Sequence, residues 1–359
     1  MSFFPAAQGT GRRAGPLPLR LPQALRNADL TRRDRVARAV LLVAAAIPTL
    51  MLLLIAAEMV YQSIPAFRYA GLGFFTGKVF SFGNLYITKL AVQNGVSAPH
   101  GATYGAFTFI FGTLVSSLIA LVVALPLAVG AVLALTERVP ARFQSSLSIF
   151  FELLAGIPSV VYGFWGILVL GPLLAKHVYP VLGHLGVVLP FFRGSVGFGE
   201  GLMTASLILA LMIVPIIATT TRELVRTVPI LAKEGALALG MTRYETARVV
   251  TLPYVRRGIW AAAVLGWARA LGETMAVLLV SGNLLNGLPA NIFGTFSTMA
   301  ATIVAMLDSA LTDATGMAVH ALAALGVVLL VITVATNLLG RLIIRRAAGG
   351  AVLPVGRGL

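Results

Sequence analysis

The stretch VPILAKEGALALGMTRYETARVVTLPYVRRG, Val228 to Gly258, lies between two strongly apolar segments and decides how the chain is put together. Ile230 to Leu239 is rich in Ala and Leu, which favours a helix. Gly240 can take the left-handed conformation that ends a helix without a Cβ penalty. Thr242 followed three residues later by Glu245 is a capping box, the signature of a second helix start. Leu252-Pro253 predicts the end of that helix, because proline lacks an amide donor and disfavours helical geometry in the residue before it. The expected product is two short helices at 228–257, joined by a glycine elbow and with apolar positions left to cover, which is the design of a docking surface. Caps and glycine turns are common, so the same signals also describe an ordinary amphipathic loop.

The surroundings of this stretch set its context. The chain has 359 residues, of which 58% are hydrophobic and 11% charged; its mean hydropathy is +0.93. A soluble chain is roughly 45–50% apolar and 25% charged, so this composition belongs to an integral membrane protein. Windows of about 20 apolar residues are long enough to cross a bilayer as helices. Six are expected, at about Val36–Val60, Phe107–Leu135, Ser146–Leu170, Gly201–Thr220, Ile259–Val280 and Met317–Leu339. The expected fold is therefore all-α and polytopic, with a basic, disordered tail at 1–35, a membrane domain at 36–345 and a short tail at 346–359. With no cysteine, disulfides and thiolate chemistry are excluded.

Net charge is +15, and its distribution gives it a topological meaning. Eight Lys and Arg residues lie up to Arg38, two between the second and third spans, seven between the fourth and fifth, and four after the last. The alternate segments hold five, and Arg269 lies inside a span. The asymmetry predicts a chain with both termini cytoplasmic, as an even number of spans requires. Excess positive charge is thus a topological signal, and nucleic acid is not an expected partner. The basic tail also suits contact with anionic membrane lipid. Three segments on the outer side, Tyr61–Ala106, Lys176–Glu200 and Ser281–Gly316, are available to an external partner. Within the third, Thr295–Leu307 suits a helix lying at the membrane interface.

One span carries an unusual pair. In ARALGETMAV, residues 268 to 277, Arg269 is the eleventh residue of an apolar window of 22, or about 33 Å of helix. An arginine at mid-membrane costs about 2.5–3.5 kcal/mol to insert, so it needs a partner or a water-filled cavity. Glu273, four residues on, lies on nearly the same helix face and can pair with it. Two readings follow. Either the two form a neutralised pair that locks the bundle, or the guanidinium presents its donor fork to a passing oxyanion that displaces Glu273. Pro126, Pro158 and Pro215 fall within three other spans, where proline frees a carbonyl and kinks a helix. Glu152, toward the cytoplasmic end of the third span, is placed to reach the loop.

Other motifs fail on spacing. GLGFFTGKV, Gly71 to Val79, lacks the glycine spacing and the Ser/Thr of a phosphate loop. The four histidines are scattered, without a second ligand group, so no metal site is expected. RGSVG at Arg193 to Gly197 lacks the spacing of a nucleophile elbow. No enzyme constellation remains, and ATP hydrolysis by this chain is not expected.

The elbow adds a resemblance. Glu234-Gly235-Ala236, then Gly240, then Val250, Leu252 and Pro253 resemble the coupling motif of binding-protein-dependent ABC importer permeases, usually Glu-Ala-Ala, Gly and Ile-x-Leu-Pro. Gly235 departs from the usual alanine and Val250 from isoleucine. Leu154 to Gly163 (LAGIPSVVYG) together with Arg269 to Val277 (RALGETMAV) resemble the phosphate-specific branch of these permeases. The resemblance implies a type I (MetI-like) permease core extended by an N-terminal span, in a bacterial inner membrane. It implies a homologous permease subunit, two ATPase subunits that carry ATP and Mg2+, and an external phosphate-binding protein as partners. By the same resemblance Arg269, Glu273, Thr274 and Ser159 belong to the substrate path, while Glu234, Gly235, Ala236, Gly240, Leu252 and Pro253 couple to the ATPase. This chain itself is expected to bind no cofactor. On the residues alone, a permease for another oxyanion such as molybdate or sulfate, or an ATP-independent secondary transporter, remains open.

Overall fold

A computed structural model describes residues 32–85, 90–195 and 197–348. The tail expected at 1–35 lies almost wholly outside them, as does most of 346–359. The chain divides into two compact units, residues 1–56 and 57–359. In the first, the described part is the beginning of helix α1 (Arg32–Ala70), a run of apolar side chains that stand exposed, such as Leu41, Leu52 and Leu54. Such a surface is stable only against lipid or another apolar partner.

The second unit begins with the remainder of α1 and the short α2 (Gly73–Thr76). Two small antiparallel ladders follow, β1 (Phe80–Ser81) with β4 (Thr103–Tyr104) and β2 (Leu90–Gln93) with β3 (Val96–Pro99). Asn94 and Gly95 both have positive φ, the pattern of a type I′ hairpin turn. Then come α3 (Phe107–Glu137), α4 (Ala141–Gly156), α5 (Ser159–Val187, with π-turns at Gly166–Leu170 and Leu174–Val178) and α6 (Leu202–Arg226). The elbow is α7 (Ile230–Ala238) and α8 (Arg243–Thr246), followed by α9 (Leu252–Leu271), α10 (Met275–Val280), α11 (Met299–Leu311) and α12 (Met317–Ala348).

Two large cores, with smaller clusters around Tyr162 and Tyr179, organise the described part of this unit. In the first, Ala120, Ala124 and Ala128 form a fully buried stripe on α3 that packs with Leu209, Ile213 and Ile217 of α6 and with α9. Small residues allow such close approach where lipid supplies no hydrophobic drive between helices. At Gly266 of α9 a Cβ would lie 3.0 Å from Ile217 Cδ1. Trp267 Nε1 donates to Ser117 Oγ at 3.0 Å, tying α9 to α3 through a polar contact within the bundle. The second core lies at the end carrying the strands, where Phe74, Phe80, Phe109, Met299 and Met317 are buried together.

The spans depart from expectation in four places. Among the described residues, five helices are long and apolar enough to cross a membrane: 36–70, 107–137, 159–187, 202–226 and 317–342. The fifth expected span, Ile259–Val280, is present as α9 and α10, interrupted at Gly272–Thr274. The expected span Ser146–Leu170 is broken at Ile157-Pro158, whose extended backbone separates α4 from α5. Pro126 and Pro215 sit inside helices that continue through them.

Pro253 does not end the second elbow helix. The chain passes from α8 through a π-turn at Ala247–Thr251 directly into α9, with Pro253 in its first turn. The wider π-turn shifts the carbonyl register where a proline ring would collide, and the missing donor falls where none is needed. Finally, the expected interfacial helix lies at Met299–Leu311, and its first residues, Met299 to Thr302, are buried in the bundle rather than spread on a surface. Thr298 caps it by accepting from Ala301 N at 3.2 Å.

Candidate functional site

The elbow forms as its local chemistry dictates. Gly240 has φ +85°, Gly240 N donates to Leu237 O at 3.0 Å, and Met241 N donates to Ala236 O at 3.2 Å. These two bonds are a Schellman stop, which requires the left-handed residue that glycine supplies. Thr242 Oγ1 accepts from Glu245 N at 3.3 Å, while Glu245 Oε2 accepts from Thr242 N at 2.7 Å, completing the capping box. Ile230, Leu231, Leu239 and Tyr244 stand exposed, whereas Ala236 is buried. Glu234 and Gly235 are exposed, Leu252 is half-buried and Pro253 exposed. The apolar positions thus form a surface that the described residues do not cover.

The Glu245 carboxyl titrates below its ordinary range because the Thr242 backbone N–H, and then the Thr242 hydroxyl, donate to it. A lowered folded-state pKa makes the cap stabilising above the ordinary carboxylate value, and that contribution is lost as pH falls through the lowered one. Amide protection at Glu245 and Thr246 is expected to hold at neutral pH and to fall, relative to α9, on acidification below the ordinary value of 4.5. Glu245→Gln should remove this pH dependence, with hydrogen exchange as the measurement.

Two residues that sequence reasoning passed over fasten the elbow to the bundle. Glu137 ends α3, where the helix dipole is negative and a carboxylate is disfavoured. Lys233 Nζ of α7 donates to Glu137 Oε1 at 2.8 Å, and Arg243 of α8 donates to the Glu137 carbonyl at 3.4 Å. Both side chains of the ion pair are largely covered. The available signal was a lysine next to Glu234 and an acid at the end of an apolar helix, separated by 96 residues.

The charged pair of the fifth expected span lies at a break. Helix α9 ends at Leu271; Gly272 N donates to Arg269 O at 3.2 Å and Glu273 N to Ala270 O at 3.3 Å. These tightened bonds carry Glu273 off the face that holds Arg269. Its carboxylate turns forward instead, with Oε1 accepting from Ala276 N at 3.5 Å in the first turn of α10. The Arg269–Glu273 ion pair that the spacing allows is therefore not formed. Arg269 is exposed on the surface of the chain, and Glu273 and Thr274 are half-buried. Glu152 lies exposed on α4, with no ion-pair partner among the described residues.

The second break sits beside the first. At Gly163 of α5 a Cβ would fall 2.7 Å from Leu279 Cδ1 and 3.1 Å from Ala276 Cα; at Gly166 it would fall 2.8 Å from Val280 Cγ1. Glycine at these positions lets α5 and α10 touch. The matched order, Gly163 on Ala276 and Gly166 on Val280, means that the two helices run parallel. One turn back from these contacts, half-buried Ser159 restarts α5 at the level of Gly272 and Glu273. Tyr162 Oη donates to Leu154 O at 2.8 Å, satisfying a carbonyl near the α4 break. Non-helical backbone at membrane depth is tolerated where it is buried in protein or lines a cavity, and broken helices recur at transporter binding sites. Ser159, Glu273 and Thr274 thus gather at one pair of breaks, with Arg269 in the turn just before.

Residues 126–349 match the family described as binding-protein-dependent transport system inner membrane component. A Mycobacterium tuberculosis protein named Phosphate transport system permease protein PstC 1 is 51% identical over 320 residues, 88% of this chain and 94% of its own length. The chain belongs to this family. A Haemophilus influenzae protein named Phosphate transport system permease protein PstC is 42% identical over 252 residues, 69% of this chain and 78% of its own. The fold is similar to a crystal structure of a bacterial ABC transporter involved in import of the acidic polysaccharide alginate, with TM-score 0.53 and 17% identity over 87% of this chain and 98% of that one. It is also similar to the alginate transporter in complex with an alginate pentasaccharide-bound periplasmic protein, with TM-score 0.55 and 17% identity over 89% and 99% of the two chains. This is a multi-pass membrane protein with an ABC importer permease fold.

Proposed function

We propose that this chain is the permease subunit of an ATP-driven importer that carries inorganic phosphate across the bacterial inner membrane. The observation that carries the reading is the 51% identity, along nearly the whole chain, to proteins named as phosphate permease subunits. The chemistry of the breaks agrees with it. Arg269 is a permanent cation with a fork of donors matched to phosphate oxygens, left unpaired by Glu273. Both termini and the elbow lie in the cytoplasm by the distribution of Lys and Arg.

The partners are a homologous permease subunit of PstA type, ATPase subunits of PstB type and an external phosphate-binding protein of PstS type. ATP and Mg2+ belong to the ATPase subunits, and this chain binds no cofactor. Closure of the ATPase moves Glu234 to Pro253, and the bundle rocks about the path beside Arg269 by alternating access.

Proteoliposomes holding the four components are expected to accumulate phosphate only when ATP is inside and binding protein outside. ATP-independent uptake by this chain alone would overturn the reading, and uptake of molybdate or sulfate in place of phosphate would replace its substrate. The elbow provides a second measurement. Gly240→Val places a β-branched residue at φ +85° although nothing lies within 4 Å of the new Cβ, so the damage comes from backbone strain of about 1–2 kcal/mol or more. Co-purification of the ATPase is expected to be lost. Gly235→Ala, whose Cβ also meets nothing within 4 Å, should stabilise α7 by about 1 kcal/mol and keep the ATPase bound.

A further inference from the structure

Between the last turns of α3 and the start of α9 lies a cleft of about 440 Å³, lined in part by elbow residues, to which the transport reading assigns no ligand. Its floor is apolar, made by Leu133 and Ala134 of α3 and Leu252 of α9, with Gly130 opening the space above them. Its rim carries three guanidinium groups, Arg138, Arg243 and Arg248, and the ring of Tyr244. Glu137 also lines it, but its charge is offset by Lys233 at 2.8 Å. Arg138 and Arg248 are exposed, and their side chains have no hydrogen-bond or ion-pair partner among the described residues. The cleft therefore presents uncompensated positive charge over a greasy base.

Depth in the bilayer identifies what such a cleft meets. Helix α3 has 31 residues, about 46 Å of helix, against about 30 Å of hydrocarbon and 40–45 Å including head groups. With Phe107 at one membrane face, Gly130 to Arg138 fall in the head-group layer of the opposite leaflet. An aromatic residue such as Tyr244 favours the same layer. We propose that this cleft is a binding site for an anionic phospholipid, with the phosphate held by Arg138, Arg243 and Arg248 and the upper acyl chain laid against Leu133, Ala134 and Leu252. Basic pockets between membrane helices favour acidic head groups for this reason: the charge attracts them and the apolar floor retains them. The site touches both the end of α3 and the elbow, so a bound lipid would brace the part of the chain that receives the ATPase. It is separate from the breaks around Arg269, and it stands or falls independently of which anion is transported.

Native mass spectrometry of the full chain in detergent, titrated with phosphatidylglycerol or phosphatidylcholine, reads the site directly. Phosphatidylglycerol should bind in preference, and Arg138→Gln with Arg248→Gln should weaken it about fivefold per arginine, roughly 25-fold together. Arg142→Gln with Arg256→Gln removes the same charge outside the cleft and should leave binding unchanged. Gly130→Phe alters no charge and has room, since nothing lies within 4 Å of a Cβ there, yet its ring fills the cleft and should abolish binding. Equal losses from both arginine pairs, or equal binding of phosphatidylcholine, would overturn the proposal. So would displacement of the lipid by millimolar inorganic phosphate, which would make this a soluble-anion site. Exclusion of lipid whenever the ATPase subunits are bound would likewise refute it and assign the cleft to that interface.

Discussion

Arg269→Ala is expected to cut ATP-driven phosphate uptake by roughly 100-fold or more while the transporter still assembles. The magnitude follows from the chemistry of the lost contact: hydrogen bonds to a charged group contribute about 1.5–3 kcal/mol each, and a guanidinium offers two in parallel to one oxyanion. Every 1.4 kcal/mol is a factor of ten, so losing the fork spans two orders of magnitude or more. Stability should move the other way or not at all. A central arginine costs about 2.5–3.5 kcal/mol to place in a bilayer, and alanine removes that cost.

The two outcomes separate transport from architecture. An ion-pair lock would lose assembly together with uptake, because its removal strands the Glu273 carboxylate. In the fold, Glu273 instead faces Ala276 N, so Arg269→Ala leaves its partner in place. Arg269→Lys keeps the charge and loses the fork, and its uptake should fall between the two. Glu273→Gln should be milder than Arg269→Ala, since a neutral amide oxygen still accepts from the first turn of α10. Radiolabelled phosphate uptake, read beside the amount of assembled complex, decides among these. Uptake at the parental rate in Arg269→Ala would remove the residue from the path.

Much of this was legible in the sequence because it rests on local rules. The capping box at Thr242 and Glu245 and the glycine stop at Gly240 depend on bonds within six residues, and both form as the sequence predicts. Apolar runs long enough to span are equally local, and they place α3, α6 and α12 well. Continuity was the weak point. An uninterrupted apolar window does not reveal that Gly272 and Ile157-Pro158 break its helix, since hydropathy is insensitive to backbone direction. The Arg269–Glu273 spacing implies a pair only if the helix continues, and the break cancels that geometry. Pro253 misleads for the opposite reason: a π-turn, set by the packing around Ala247 and Thr251, lets the helix pass a residue that ordinarily ends one. The Asn94-Gly95 hairpin lies in a stretch expected only as an outer-side segment, although Asn-Gly between extended runs is itself a hairpin signal. The Glu137–Lys233 contact was not, because only the folded bundle brings residues 96 apart in sequence together.

That contact carries the second large effect. Reversing either charge, Glu137→Lys or Lys233→Glu, is expected to lower phosphate transported per ATP hydrolysed severalfold, while the ATPase still binds and turns over. On the proposed coupling role the elbow would take up force at its exposed apolar residues and pass it to α9, with which it is continuous, and to α3, where the 2.8 Å pair is a charged link from α7. Coverage of both side chains puts the pair between an exposed bridge of about 0–1 kcal/mol and a buried one whose single disruption costs about 3–5 kcal/mol. Glu137→Lys sets two ammonium groups against each other across the same gap, and Lys233→Glu brings a second carboxylate to the negative end of α3. The double reversal tests the link itself: it restores opposite charges and places the lysine at the helix end that favours it. Transport per ATP should recover in the double variant beyond the sum of the single changes, which is the mark of a direct interaction. Additive losses would show that the two positions act separately, leaving the Arg243 contact with the Glu137 carbonyl and the continuous passage of α8 into α9 as the routes from the elbow into the bundle.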